Sequence, residues 1–210
     1  AHVLHYSLGR QRAHLEQLAT ERRHRQAEMA REVQLRMLPQ FRPEVPGYDF
    51  RDYYKAAGHV GGDYFSYWKL PDQRIAISIA DVCGKGISAA LTMAELCSEV
   101  RHCLETTLSA DMMMSRLHRH FCERNSFITF TLCILDQFEH TLTVVNAGHM
   151  PPLRRAMASE CVESLPLLSC GLPLGVQSDE VYAAEVFDIK PGDLFLMCTD
   201  GITEMFGASK

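Results

Sequence analysis

Residues 74–93 read RIAISIADVCGKGISAALTM, and this stretch decides the architecture. Its first half alternates in period two. Ile75, Ile77 and Ile79 fall on one face, and Ala76, Ser78 and Ala80 on the other. Both faces are apolar or small, which predicts an interior strand of a layered structure. Gly84 and Gly86 then let the chain turn, and from about Lys85 to Thr106 the period changes. Ala89, Ala90, Met93, Leu96, Cys97, Val100 and Leu104 lie on one helical stripe.

Further strands are predicted at Tyr48–Ala56, Asp63–Leu70, Arg74–Asp81, Phe127–Asp136, Thr141–Ala147, Val181–Asp188 and Asp193–Thr199, with a second helix at Asp111–Glu123. Strands and helices do not alternate one for one. A parallel doubly wound sheet is therefore disfavoured and an α+β sandwich favoured.

Upstream, Gly9–Leu38 has no Pro, only one Gly, and a predominance of Arg, Glu, Gln, Ala and Leu, which predicts one long helix. Leu8, Leu15 and Met29 keep a seven-residue spacing, while Arg22 and Arg25 interrupt the seam. Two readings stay open: pairing with a second copy to give a homodimer, or packing of a single helix on the domain that follows. Pro39, Pro43, Pro46 and Gly47 end the helix. The chain is thus expected to divide into a stalk, residues 1–38, and a domain, residues 39–210.

The 210 residues are 47% hydrophobic and 22% charged, an ordinary globular composition for one domain with an extension. The net charge of −5 speaks against a nucleic-acid partner. No apolar run is long enough to span a bilayer, and the N-terminal stretch lacks the apolar core of a signal peptide. Cys83, Cys97, Cys103, Cys122, Cys133, Cys161, Cys170 and Cys198 form no C-x-x-C pair, and most lie in apolar runs. Buried free thiols in a cytoplasmic protein are expected.

Three aspartates stand beside glycine at strand ends: Gly61-Gly62-Asp63, Asp81 before Val82-Cys83-Gly84-Lys85-Gly86, and Asp200-Gly201 after the apolar run Leu194–Cys198. Each alone reads equally as a turn residue. Together they could converge at the rim of a sheet, where an all-oxygen ligand set suits Mg²⁺ or Mn²⁺ better than Zn²⁺. A phosphate loop is rejected, because Ile79 stands where its first glycine belongs and Gly86 where its hydroxyl belongs. His118, His120 and Cys122 imitate a metal cluster. On a helix only His118 and Cys122 share a face, so a solvated histidine pair beside a core cysteine is expected. No G-x-S-x-G serine-hydrolase elbow occurs.

In order, AEMAREVQLRMLP (27–39), AAGHVGGDYF (56–65), IADVCGKGISAALTM (79–93), SFITFTLCILD (126–136), NAGHMPPL (146–153), GLPLGV (171–176) and PGDLFLMCTDGITEM (191–205) resemble the type 2C metal-dependent protein phosphatases. The resemblance is to the bacterial branch that includes the sporulation phosphatase type E and the sigma-factor regulator phosphatases. It implies a two-sheet antiparallel β-sandwich flanked by helices, with two Mn²⁺ or Mg²⁺ ions at one edge. Carried over motif by motif, Asp63 holds one ion, Asp81 bridges both, the Val82 carbonyl adds a ligand and Asp200 holds the other ion. Gly61, Gly62, Gly84, Gly86 and Gly201 shape the loops.

The implied reaction is attack of a metal-activated water on a phosphoserine or phosphothreonine of a regulatory protein, such as an anti-sigma-factor antagonist in stress signalling. Asn146, Gly148 and His149 receive no role beyond packing. Family members continue past the TDG motif to a strand bearing a further metal-binding Asp. The chain ends at Lys210 without a candidate for it, and FGAS follows Met205 early, as if a loop were missing. The expectation is a domain lacking its C-terminal part and poor in metal. The alternative is a catalytically inactive phosphatase-fold module that transmits a signal or binds a phosphoprotein.

Overall fold

The alternating strand of residues 75–82 lies inside a five-stranded sheet in the computed structural model, which describes residues 2–106, 109–157, 159 and 161–203. The helices are α1 (His2–Met37), α2 (Ile87–Leu104), α3 (Ala110–Cys122) and α4 (Asp200–Thr203). The strands are β1 (Tyr64–Lys69), β2 (Ile75–Val82), β3 (Ile128–Asp136), β4 (Thr141–Ala147), β5 (Leu153–Arg155), β6 (Glu163–Ser164), β7 (Glu185–Asp188) and β8 (Leu194–Leu196). The large sheet runs β1-β2-β3-β4-β7 and the small one β6-β5-β8, with every pairing antiparallel.

The two faces of β2 explain the layering. Ala76, Ala80 and Val82 join the core that contains Met93, Leu96 and Val100 of α2 and Met114, Leu117 and Phe121 of α3. The small side chains leave room for helices to approach that face. Ile75 and Ile77 turn the other way, with Cys133, Leu135, Leu142 and Val144, and meet Phe195 and Met197 around β8. Helices thus cover one face of the large sheet and the small sheet covers the other, as expected of a flanked antiparallel sandwich. Ser78, the polar residue on the helical face, is buried and satisfied by Ser66 Oγ at 2.6 Å.

Some expectations need correction. Tyr48–Ala56 is not a strand: among the described residues its one ladder contact is the single bridge from Val45 to Tyr48. Its aromatic residues pack instead, Tyr48 near His140 and Phe50 against Tyr67. The last two predicted strands shorten to Glu185–Asp188 and Leu194–Leu196, and β5 and β6 were not anticipated. All eight cysteines are free, but only Cys103 and Cys133 are buried, while Cys83, Cys161 and Cys170 are exposed.

Helix α1 touches the rest of the chain mainly near its C-terminal end, where Gln34 and the following Leu38 are buried. Met29 and Val33 stay 67% and 55% exposed, so the stripe does not simply pack inward. The side chains of Leu8 and Leu15, and the segment from Met205 through the FGAS stretch to Lys210, lie outside the described residues. Among the described residues no helix is long and apolar enough to cross a membrane.

Candidate functional site

Asp63 and Asp81 meet because β1 and β2 are antiparallel neighbours. The register pairs Tyr64 with Ala80, which sets the residue before β1 beside the end of β2. The approach is close at Gly62. A Cβ there would lie 2.6 Å from the Val82 carbonyl oxygen and 3.4 Å from Asp81 Oδ1. Only a residue without a side chain lets the Val82 carbonyl and the Asp81 carboxylate come so near the Asp63 loop. The Val82 amide donates to the Gly62 carbonyl at 3.4 Å, and the Cys83 amide donates to the Phe127 carbonyl at 2.9 Å.

Asp200 arrives from the other sheet. It follows β8 and opens the short turn α4. The Cβ position of Gly201 is 3.9 Å from Asp63 Oδ2 and 3.7 Å from Thr199 Oγ1. Burial pushes the Asp63 carboxyl above its usual range, and the charge of Asp200 pushes it further, while a hydrogen bond from Thr199 opposes both. Asp63 thus lies close to both neighbouring loops, that of Asp81 through Gly62 and that of Asp200 through Gly201. Gly84 (φ +112°) and Gly86 (φ +74°) form the turn from β2 into α2, and Lys85 between them is exposed.

The candidate donors, three carboxylates and one backbone carbonyl, are all hard oxygen. That chemistry suits Mg²⁺ or Mn²⁺. The Asp63 carboxyl is raised first by burial and to a lesser degree by the Asp200 charge, and a bound cation would offset both. Even so, among the described residues no three His, Cys, Asp or Glu side chains are gathered tightly enough to hold an ion as they stand.

Several residues around this edge escaped sequence reasoning. The amide of Gln34 on α1 pairs with both backbone groups of Gly61. The Tyr54 hydroxyl is buried without a hydrogen-bond partner, 3.1 Å from where a Gly61 Cβ would be. Burial, then the neighbouring Asp63 charge, raises its pKa. His149, left to packing by the sequence, reaches Thr129 Oγ1 through Nδ1 at 2.8 Å, and Thr129 donates to the Asp81 carbonyl at 3.4 Å. The distinctive run Asn146–His149 was the one signal that pointed there.

The His118–Cys122 expectation is half right. The two do face each other, at 3.3 Å, but His118 is buried rather than solvated. Its Nε2 meets the Gln177 carbonyl at 2.5 Å and its Nδ1 the Tyr182 hydroxyl at 2.9 Å. His120 instead faces Glu95 at 2.9 Å.

Comparison with known proteins places this geometry. Residues 71–210, two thirds of the chain, match the family described as stage II sporulation protein E. Phosphoserine phosphatase RsbU of Bacillus subtilis (strain 168) is 29% identical over 180 residues, covering 84% of this chain and 53% of its own length. Phosphoserine phosphatase RsbP of the same organism is 26% identical over 189 residues, covering 86% of this chain and 45% of its own. The chain thus spans about half the length of these curated relatives. The solved PP2C domain of SiaA from Pseudomonas aeruginosa has a TM-score of 0.75 at 21% identity, covering 91% of this chain and 77% of that one. At that identity the likeness speaks for the fold alone. With the matched region spanning β2 through Asp200, the chain belongs to the stage II sporulation protein E family.

Proposed function

We propose that this chain is a metal-dependent serine/threonine phosphoprotein phosphatase that acts on a phosphorylated regulatory protein, with an anti-sigma-factor antagonist as the substrate type. The observation that carries the reading is the convergence of Asp63, Asp81 and Asp200 from both sheets on one edge. The names of RsbU and RsbP support the phosphoserine chemistry.

Asp63 would serve one Mn²⁺ or Mg²⁺ ion and Asp200 the other, with Asp81 contributing to both and the Val82 carbonyl as a further ligand. When bound, such a pair of ions lowers the pKa of water and neutralises phosphoryl charge. The chain's own part is to hold the carboxylates in place. Gly62 keeps the Val82 carbonyl within reach, and Gly84 and Gly86 shape the turn after it. The division into a stalk of residues 1–38 and a phosphatase domain of 39–210, dimerisation through exposed Met29 and Val33, and a cytoplasmic setting belong to the same proposal. No nucleic-acid partner is included.

One observation favours a second reading. The carboxylates do not form a ready cage, which suits a phosphatase-fold module that binds a phosphoprotein without hydrolysing it. Release of phosphate from a phosphoserine protein, with Mn²⁺ present, decides between them. The enzyme reading expects turnover that stops in excess chelator and in Asp81→Asn. Turnover unaffected by either change would overturn it, and binding without turnover would favour the module.

A further inference from the structure

We propose that His149 is a positioning residue that, through Thr129, sets the placement of Asp81. This rests on the reading of those aspartates as metal ligands. The backbone of His149 is held by Asn146. The His149 amide donates to Asn146 Oδ1 at 3.0 Å, and Asn146 Nδ2 donates to the His149 carbonyl at 2.9 Å and to Thr131 Oγ1 at 3.1 Å. Both Asn146 and Thr131 are buried, so this frame has little freedom.

From that frame the ring reaches in two directions. Thr129 spends its hydroxyl proton on the Asp81 carbonyl, so its oxygen accepts from His149 Nδ1–H at 2.8 Å. The chain Asn146–His149–Thr129–Asp81 thus ties the end of β2 to the end of β4. On the other side Nε2 is buried and makes no hydrogen bond of ordinary geometry, though the residue is only 6% exposed. Burial lowers the His149 pKa, while the Cys198 carbonyl and the Asp200 charge oppose that. A buried polar atom left without a partner is costly unless it serves the site.

The test is Mn²⁺ affinity of the full chain by calorimetry, with circular dichroism to verify folding. His149→Ala and Thr129→Val are each expected to weaken binding about 10–100-fold, the range for residues that orient metal ligands. The double variant is expected to lose no more than the larger single loss, because the two act through one chain. His149→Asn, which keeps a donor near the Nδ1 position, is expected to recover most of the loss. A residue that merely fills space would not show this rescue. Asp81→Asn separates the two readings. If it loses Mn²⁺ while His149→Ala, His149→Asn and Thr129→Val bind like wild type, the positioning role is overturned and the metal site stands. Additive losses overturn the role as well. If Asp81→Asn itself binds Mn²⁺ like wild type, the metal-site reading fails.

Discussion

Gln34 of α1 and Gly61, two residues before Asp63, are joined by a pair of hydrogen bonds. The Gly61 amide donates to Gln34 Oε1 at 3.0 Å, and Gln34 Nε2 donates to the Gly61 carbonyl at 2.7 Å. The side chain is 5% exposed and its Nε2 also lies 3.9 Å from Met93 Sδ on α2. A side-chain amide here does what a neighbouring strand would do: it satisfies both backbone groups of a loop residue that has no ladder partner.

Gln34→Ala is therefore expected to destabilise the fold by about 1–3 kcal/mol, the cost of buried groups left unpaired. The same variant should weaken Mn²⁺ binding, because the Gly61–Asp63 loop loses its brace. Gln34→Glu should be no better, since a carboxylate cannot donate to the Gly61 carbonyl. Urea unfolding and Mn²⁺ calorimetry measure both effects. Wild-type values for Gln34→Ala would show that the loop is held by other contacts.

The glycines of the site should not respond alike to a methyl group. At Gly62 a Cβ would meet the Val82 carbonyl at 2.6 Å, so Gly62→Ala must push apart β2 and the Asp63 loop. At Gly86 nothing lies within 4 Å, and the cost of Gly86→Ala is that of its backbone conformation (φ +74°, ψ −147°), essentially open to glycine alone, about 1–3 kcal/mol. Gly62→Ala is expected to abolish measurable Mn²⁺ binding while Gly86→Ala shifts only the melting temperature. Calorimetry with a thermal melt on each variant distinguishes them.

His118 pins α3 to the segment 172–182. It meets the Gln177 carbonyl and the Tyr182 hydroxyl, and Tyr182 donates in turn to the Leu172 carbonyl at 2.8 Å. Both side chains are buried. His118→Leu should cost about 2–3 kcal/mol because it strands these partners. Tyr182→Phe keeps the ring and should cost about 1 kcal/mol. Adding Tyr182→Phe to His118→Leu should cost less than the sum, measured by denaturant unfolding.

The layered architecture was legible because β2 declares both of its faces: alanines toward the helices, isoleucines toward the small sheet. The three aspartates were legible as strand-end, glycine-flanked residues, and the family resemblance gave them an order of roles. What stayed hidden was whatever depends on partners distant in sequence. Tyr48–Ala56 reads as a strand, yet it meets β1 through side chains such as Phe50 on Tyr67 and not through a ladder. β5 and β6 are too short to carry a period. His118 reads as a surface histidine and His149 as a packing residue until Tyr182, Gln177, Thr129 and Asn146 are brought beside them. Gln34 reads as one more helix-former in a polar helix, and nothing local says that it faces Gly61.

Asp63 supplies a prediction with a sign that depends on the ion. Its carboxyl is raised first by burial and then by Asp200, so without metal the folded state favours the protonated acid. The sign follows from linkage. The favourable contribution is complete below the ordinary carboxylate value and is lost as pH rises through the raised folded-state value, leaving a constant penalty at neutral pH. Asp63→Asn removes that penalty. Because the group is partly exposed, the gain is screened to about 1 kcal/mol or less, which corresponds to roughly 2–4 °C for a chain of this size. In chelator at pH 7 the variant should therefore melt above wild type, with the difference vanishing below about pH 4. In Mn²⁺ the order should reverse. Wild type gains about 2.7 kcal/mol at a metal concentration a hundredfold above Kd, and the variant, missing a ligand, gains little. Melting curves of both proteins across pH, with and without Mn²⁺, measure the crossover. Identical curves in chelator would show that Asp63 carries no strain, and a wild-type shift in the Mn²⁺-loaded variant would remove Asp63 from the metal site.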